Sequence, residues 1–384
     1  MAAAPGVGAA GGAPRPAPKL PKLRDFLRIM VKESASDLVL KTHGCPAVRV
    51  AGVIRFLGDQ PLTPEVMRSY ADEILGERGR KEFETTGATD TAVAVPGVGR
   101  FRCNAFHQCG EFGFVFRAIK NEIPSFKDLN LPVDPLKRLA SLKRGLVLAT
   151  GIAGSGKSTT LASMIEFVNR TMNKHIVTIE DPIEFRFEDK RSIVNQREVG
   201  ADVVNFASAL RQALRQSPDV ILIGEMRDAE TVAAAISAAE TGHLVFSTLH
   251  TVNAVQTVER IITFFPPHQH ELVRLQLALN LAGVCSLRLV KNKEGTAMVP
   301  AVELLINTPT VRELLEQGQT RMLPKALQEG SYYGTMTFNQ SLIRLFQAGN
   351  ISLEDALAAS DNPDELKMQM RGITQGASVR PSPV

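Results

Sequence analysis

The hydrophobic rhythm of the chain changes near residue 145. Between residues 25 and 119 short segments alternate apolar and polar positions in twos, most clearly from Thr91 to Val95 and from Arg100 to His107, with the turn Pro96-Gly97-Val98-Gly99 between them. In the second of these segments Phe101, Cys103 and Ala105 fall on one face and Arg100, Arg102 and Asn104 on the other. The pattern predicts a small mixed α/β domain whose sheet buries one face and leaves the other free for polar contacts. From Gly145 onward the runs are apolar throughout: Leu146 to Thr150, His175 to Ile179, Val220 to Ile223 and Leu244 to Leu249. Helical stretches separate them, and in the first of these Leu161, Met164, Ile165, Val168 and Met172 recur at helical spacing. Continuous apolar strands alternating with helices predict a parallel sheet covered on both faces.

Residues 120 to 144 carry Pro124, Pro132 and Pro135 among charges and read as a linker with a short helix of its own. Beyond Asn253 the pattern is mostly helical, with stripes from Leu272 to Leu289, Val311 to Leu315 and Phe338 to Phe346, and with Gly318, Gly330 and Gly334 as turn signals. The expected division is therefore a flexible tail over 1–20, an N-terminal domain over 21–120, a linker over 121–144, a second domain over 145–372 and a second tail over 373–384. No internal repeat is evident.

Composition narrows the class. At roughly 100 to 200 residues per domain, 384 residues suit two domains. Hydrophobic residues at 44% and charged residues at 22% fit a globular protein, and no apolar run reaches bilayer length. The opening MAAAPGVGAAGGAPRPAPKL lacks a basic start and is broken by prolines, so it does not read as a secretory signal. Four scattered cysteines, with no C-x-x-C pair, suggest neither a disulfide framework nor a zinc site. The net charge of +4 is spread out, tryptophan is absent and tyrosine occurs three times, so there is no basic, aromatic-studded stripe for nucleic acid.

The segment Gly151-Ile152-Ala153-Gly154-Ser155-Gly156-Lys157-Ser158-Thr159 matches G-x-x-x-x-G-K-[ST], and it sits between a strand and an amphipathic helix as that motif requires. Glycines leave the backbone N–H groups free to face an anion at a helix N-terminus. Lys157 is expected to reach the β and γ phosphates of ATP, and Ser158 to offer its hydroxyl to Mg. A second signal is Asp219-Val220-Ile221-Leu222-Ile223-Gly224-Glu225, an apolar strand ending in a carboxylate, where parallel sheets bind their ligands. Glu180, Asp181 and Glu184 bracket Pro182 after another strand, which offers a second acid for metal or base duty. Spacing does not say whether Glu180 or Glu225 is the base. His243 and His250 flank the run Leu244 to Leu249, where a structural role is the plain alternative.

Taken together, GIAGSGKSTT, VTIEDPIEF, VNQREVG, LRQSPDVILIGEMRD and AETGHLVFSTLHT, with ASDLVL and GRFRCNAFHQ upstream, resemble the ordered motifs of the secretion and pilus ATPase superfamily. The PilT/PilU family of type IV pilus retraction (twitching motility) ATPases is the branch they are most similar to. The resemblance implies an α/β fold class, with a PAS-like N-terminal domain followed by a RecA-like ATPase domain with a helical C-terminal part. It also implies a homohexamer that hydrolyses ATP with Mg at the inner face of the cytoplasmic membrane. A membrane platform protein, and a paralogous retraction ATPase, are the implied partners. By the same resemblance Glu180 belongs to an acidic box, Glu225 to Walker B, and His243 and His250 to a histidine box. Arg102 and Arg117 match N-terminal-domain arginines that reach toward the γ-phosphate.

Some positions depart from that pattern. Ser247 stands where glycine is common, Val39 replaces a histidine, and Thr310 to Leu315 follows the retraction motif loosely. VELLINTP is PilU-like, whereas GEMRDAET and TLHT are PilT-like. Two other readings remain: an ATP-binding accessory subunit or scaffold of a partner motor, and a nucleic-acid translocase, which the composition disfavours.

Overall fold

The computed structural model describes residues 22–50, 52–119 and 122–371. The two terminal tails expected from sequence lie outside the described residues. The chain forms two compact units that divide between Ile119 and Lys120.

In the N-terminal unit six strands form one sheet: β1 (Asp37–Lys41), β2 (Ala47–Val50), β3 (Val53–Phe56), β4 (Ala88–Val95), β5 (Gly99–Gln108) and β6 (Glu111–Ile119). Their order is β3-β2-β1-β6-β5-β4, and every neighbouring pair is antiparallel. The two-residue alternation explains the layering. Phe101, Cys103 and Ala105 of β5 join Phe114 and Phe116 of β6 in a core completed by Leu27 and Met30 of helix Leu23–Lys32 and Met67 of helix Pro64–Ile74. On the opposite face Arg102, Arg117, Asp37 and Arg49 follow one another across β5, β6, β1 and β2 in register.

The second unit is built on a seven-stranded sheet: β7 (Gly145–Thr150), β8 (His175–Glu180), β9 (Ile193–Glu198), β10 (Val220–Ile223), β11 (Leu244–Leu249), β12 (Leu281–Lys291) and β13 (Met298–Ile306). The order is β13-β12-β7-β11-β10-β8-β9, parallel except for the antiparallel pair β12–β13. Because helices cover both faces, alternate residues of each central strand enter different cores, and none is free to be polar at the surface. Leu146, Leu148, Ile221, Ile223 and Val245 face one core with helices Ala229–Glu240 and Ala254–Thr263. Val147, Ala149, Leu222 and Phe246 face the other, with helix Lys157–Thr171.

Two sequence expectations change here. The stripe from Leu272 to Leu289 is not one helix: helix His270–Asn280 stops, and Leu281 opens β12. An apolar run buried on both faces has the same signature as a buried helix, and pairing with β7 and β13 decides the matter. Gly283 permits that pairing, since a Cβ there meets the Leu305 carbonyl at 2.8 Å. The segment read as a linker packs into the second unit: Phe126, Leu131, Leu136 and Leu139 are core residues, and helix Val133–Ala140 carries the last two. The C-terminal helices Phe338–Gln347 and Pro363–Met370 cover the far ends of β12 and β13 through Leu342, Leu345 and Leu366. Among the described residues no helix is long and apolar enough to cross a membrane.

Phe246 is fully buried at the centre of the parallel sheet. Truncation by Phe246→Ala is expected to destabilise the second unit by about 3–5 kcal/mol. Urea unfolding followed by far-UV circular dichroism checks this, and an unchanged midpoint would remove the ring from its central place in the packing.

Candidate nucleotide site

Strand β7 ends at Thr150, and the six residues Gly151 to Gly156 turn the chain into helix Lys157–Thr171. Gly151 has φ of +142°, and a Cβ on it would lie 2.5 Å from the Leu287 carbonyl and 2.4 Å from Ser155 Oγ. Gly156, the N-cap of the helix, has φ of +96°. The helix therefore begins abruptly, with the N–H groups of its first turn lacking partners inside the helix. Lys157 is buried, and its Nζ donates to the Gly151 and Ile152 carbonyls at 2.8 and 2.9 Å. Burial pulls its pKa down, opposed by the charges of Glu225 and Glu184. Ser158 is exposed, Thr159 is partly buried with its carbonyl accepting from Ser163 Oγ at 2.8 Å, and the buried Ser155 hydroxyl has no hydrogen-bond partner.

A cleft of about 290 Å³ separates this loop from the carboxyl ends of β8, β10 and β11. Ala153, Gly154, Lys157 and Ser158 form one wall; Glu180, Glu184, Glu225 and His250 stand opposite. Glu180 Oε1 accepts from Thr178 Oγ1 at 2.6 Å and from Gln196 Nε2 at 3.2 Å. Burial dominates these bonds and pushes its pKa up to about 7. Since the folded chain holds this proton more tightly than an unfolded glutamate near 4.5, ionising Glu180 costs stability as pH rises from that value through about 7.

Glu225 has a different setting. Its carboxylate pairs with Arg227, and Oε2 lies 3.4 Å from His250 Nε2. Thr248 fixes the geometry from the neighbouring strand, its Oγ1 donating to the Gly224 carbonyl at 2.7 Å and its own carbonyl accepting from Met226 N–H at 3.1 Å.

The phosphate-loop residues, Glu180, Glu225 and His250 thus converge. His243 does not. It sits at the other end of β11, about 20 Å away at the rise of an extended strand, with Nδ1 2.9 Å from the Ala238 carbonyl and 3.2 Å from Thr241 Oγ1. There it finishes helix Ala229–Glu240. Arg102 and Arg117 belong to the N-terminal unit, opposite each other on β5 and β6. Arg117 holds Asp37 Oδ1 through Nε at 3.0 Å and Nη2 at 2.9 Å, and Arg102 Nε lies 3.5 Å from Asp90. Gln196 and Arg227 were not singled out by sequence. Gln196 lies on the polar edge strand β9, whose residues carry no apolar rhythm, and was visible only as part of VNQREVG, as Arg227 was only as part of GEMRD.

A glycine turn from strand to helix, a buried lysine and carboxylates at two adjacent parallel strand ends define a phosphate-loop nucleotide-binding protein. Residues 114–336 match the family model described as Type II/IV secretion system protein. Over 365 residues the chain is 41% identical to the type IV pilus ATPase PilU of Pseudomonas aeruginosa, covering 92% of this chain and 95% of that one. It is 43% identical over 342 residues to the type IV pilus retraction ATPase PilT of the same organism, covering 89% and 99%. Among solved structures, the pilus retraction motor PilT with bound ADP superposes with a TM-score of 0.84 at 47% identity, covering 90% of this chain and 99% of that one. The Legionella pneumophila ATPase DotB does so with 0.73 at 28% identity, covering 89% and 96%. The chain belongs to the type II/IV secretion system protein family.

Gly151→Ala forces a side chain against the Leu287 carbonyl and is expected to weaken ADP binding by about 10- to 100-fold, that is by about 1.4–2.8 kcal/mol. Titration calorimetry reads this directly, and an unaltered Kd would mean that the turn relaxes without loss.

Proposed function

We propose that this protein is an ATP-hydrolysing ring motor that retracts a type IV pilus. The observation that carries the reading is the cleft that Lys157 and the phosphate loop line together with Glu180 and Glu225. In it the loop amides and Lys157 hold the β and γ phosphates. A water then attacks the γ phosphorus, the bond to the bridging oxygen breaks toward ADP, and the water's proton passes to a carboxylate.

The donor set suits magnesium: an exposed Ser158 hydroxyl at the loop and the Glu225 side-chain oxygens across the cleft are hard oxygen ligands of the kind that complement phosphate oxygens. When bound, the ion neutralises charge on the phosphates during transfer. Glu225 is paired with Arg227, while Glu180 sits close to the pKa that a base needs at neutral pH. Glu180 is assigned the proton on this ground. His250 reports the state of Glu225 to the loop after β11, and His243, away from the cleft, takes no part in the chemistry. Arg102 and Arg117 are assigned to a neighbouring chain's γ-phosphate in a homohexamer.

The ring acts at the cytoplasmic face of the membrane on a platform protein. A second reading, an accessory subunit that works with a paralogous retraction ATPase, is favoured by the 41% identity to PilU over 92% of this chain.

Steady-state ATPase assays of the full-length protein test both. Lys157→Ala is expected to abolish turnover, and Glu225→Gln to lower it by about 10²–10³-fold while ADP still binds. Nucleotide binding without turnover by the isolated wild-type ring would instead support the accessory reading. With Glu180 as base, activity climbs with pH through about 7, and Thr178→Val, which deletes a bond that lowers that pKa, shifts the profile to higher pH. A profile indifferent to Thr178→Val would move the base to Glu225.

A further inference from the structure

Glu303 lies in β13, outside the nucleotide cleft, yet it is bonded to the segment that carries His250. Its Oε1 accepts the backbone N–H of Ala254 at 2.7 Å. Ala254 is the first residue of helix Ala254–Thr263, and the cap residue Asn253 takes the Gln256 N–H at 2.9 Å. The leading N–H groups of a helix lack partners within it. Here one is met by the helix's own cap and another by a strand two positions across the sheet from β7.

Four residues, His250 to Asn253, join the end of β11 to this helix. Before them, Thr248 is tied to both Gly224 and Met226, on either side of Glu225. After them, Ala254 is tied to Glu303. Midway, Thr251 Oγ1 lies 2.7 Å from Thr257 Oγ1. The His250 ring is therefore carried by a short span anchored at one end to the Glu225 strand and at the other to β13.

Glu303 also stands on a particular rung. It pairs in register with Ser286 of β12, which pairs with Thr150 of β7. Thr150 Oγ1 donates to Ser286 Oγ at 2.9 Å, and the next residue, Gly151, begins the phosphate loop. The charged groups that act on Glu303 are Arg288 and Asp361, which are paired with each other at 2.9 Å. Glu303 is thus left to serve as an acceptor for the helix. Burial pushes its pKa up to about 7, so a neutral acceptor of the same shape can replace it.

We propose that Glu303 is a positioning residue for nucleotide hydrolysis: by holding the Ala254 amide it keeps His250 against Glu225, on the rung from which the phosphate loop departs. The role rests on the reading of Glu225 and His250 given above.

The test uses the full-length protein and measures kcat, KM for ATP, Kd for ADP and melting temperature. Glu303→Ala is expected to lower kcat by about 10- to 100-fold, with KM and Kd within about twofold, and Glu303→Gln to restore kcat. Ala254→Pro removes the other half of the bond with a residue that helices accept at their first position, and the same loss of kcat is expected. Unchanged kcat in folded Ala254→Pro, or no rescue by Glu303→Gln, would overturn the proposal. So would an equal extra loss from Glu303→Ala in a His250→Ala background, because the tether acts through that ring. If instead Glu225→Gln is fully active, the assignment of the cleft fails on its own, and the His250–Glu303 cycle still decides the tether.

Discussion

The constraint on which the rest of the second unit depends is the close passage of the phosphate loop against β12. Gly151 leaves β7 with its backbone pressed toward the Leu287 carbonyl, a path with no room for a side chain. That path requires β12 beside β7, which the bulge between Leu281 and Gly283 and the pairing with β13 bring about. It also sets where the helix starts, and so where its unpaired N–H groups point. The buried lysine, the cleft and the acids at the neighbouring strand ends all take their positions from this one approach.

The two acids show how one fold makes two chemistries from one side chain. Glu180 is enclosed and offered neutral donors, from Thr178, Gln196 and the Glu184 backbone, so its charge is poorly compensated. Glu225, at the end of the neighbouring strand in the same cleft, has a guanidinium beside it.

Much of this arrangement was legible in the chain. The glycine loop, the apolar strands on either side and the strand-end acids follow from local pattern, because each depends on residues adjacent in sequence. What was not legible depends on sheet neighbours. β12 and β13 carry apolar residues on both faces and look helical until they are paired. β9 is a polar edge strand, so Gln196 had no rhythm to mark it. The two histidines, alike in sequence, separate by the length of β11, and only the strand direction decides which one meets Glu225. The prolines at 124, 132 and 135 suggested a linker with a short helix of its own, and the helix is there, yet the segment's Phe126, Leu131 and Leu136 are core residues.

Lys157 bonded to the Gly151 and Ile152 carbonyls has a kinetic meaning. These carbonyls are a built-in rival for the ammonium, so a phosphate that paired with it would have to displace them, and part of the attraction gained would be repaid on departure. The buried ammonium thus has carbonyl partners of its own, which reduces the net gain from any phosphate that takes it. In many enzymes product departure, not chemistry, limits the cycle. A self-satisfied lysine exchanges some grip for tempo.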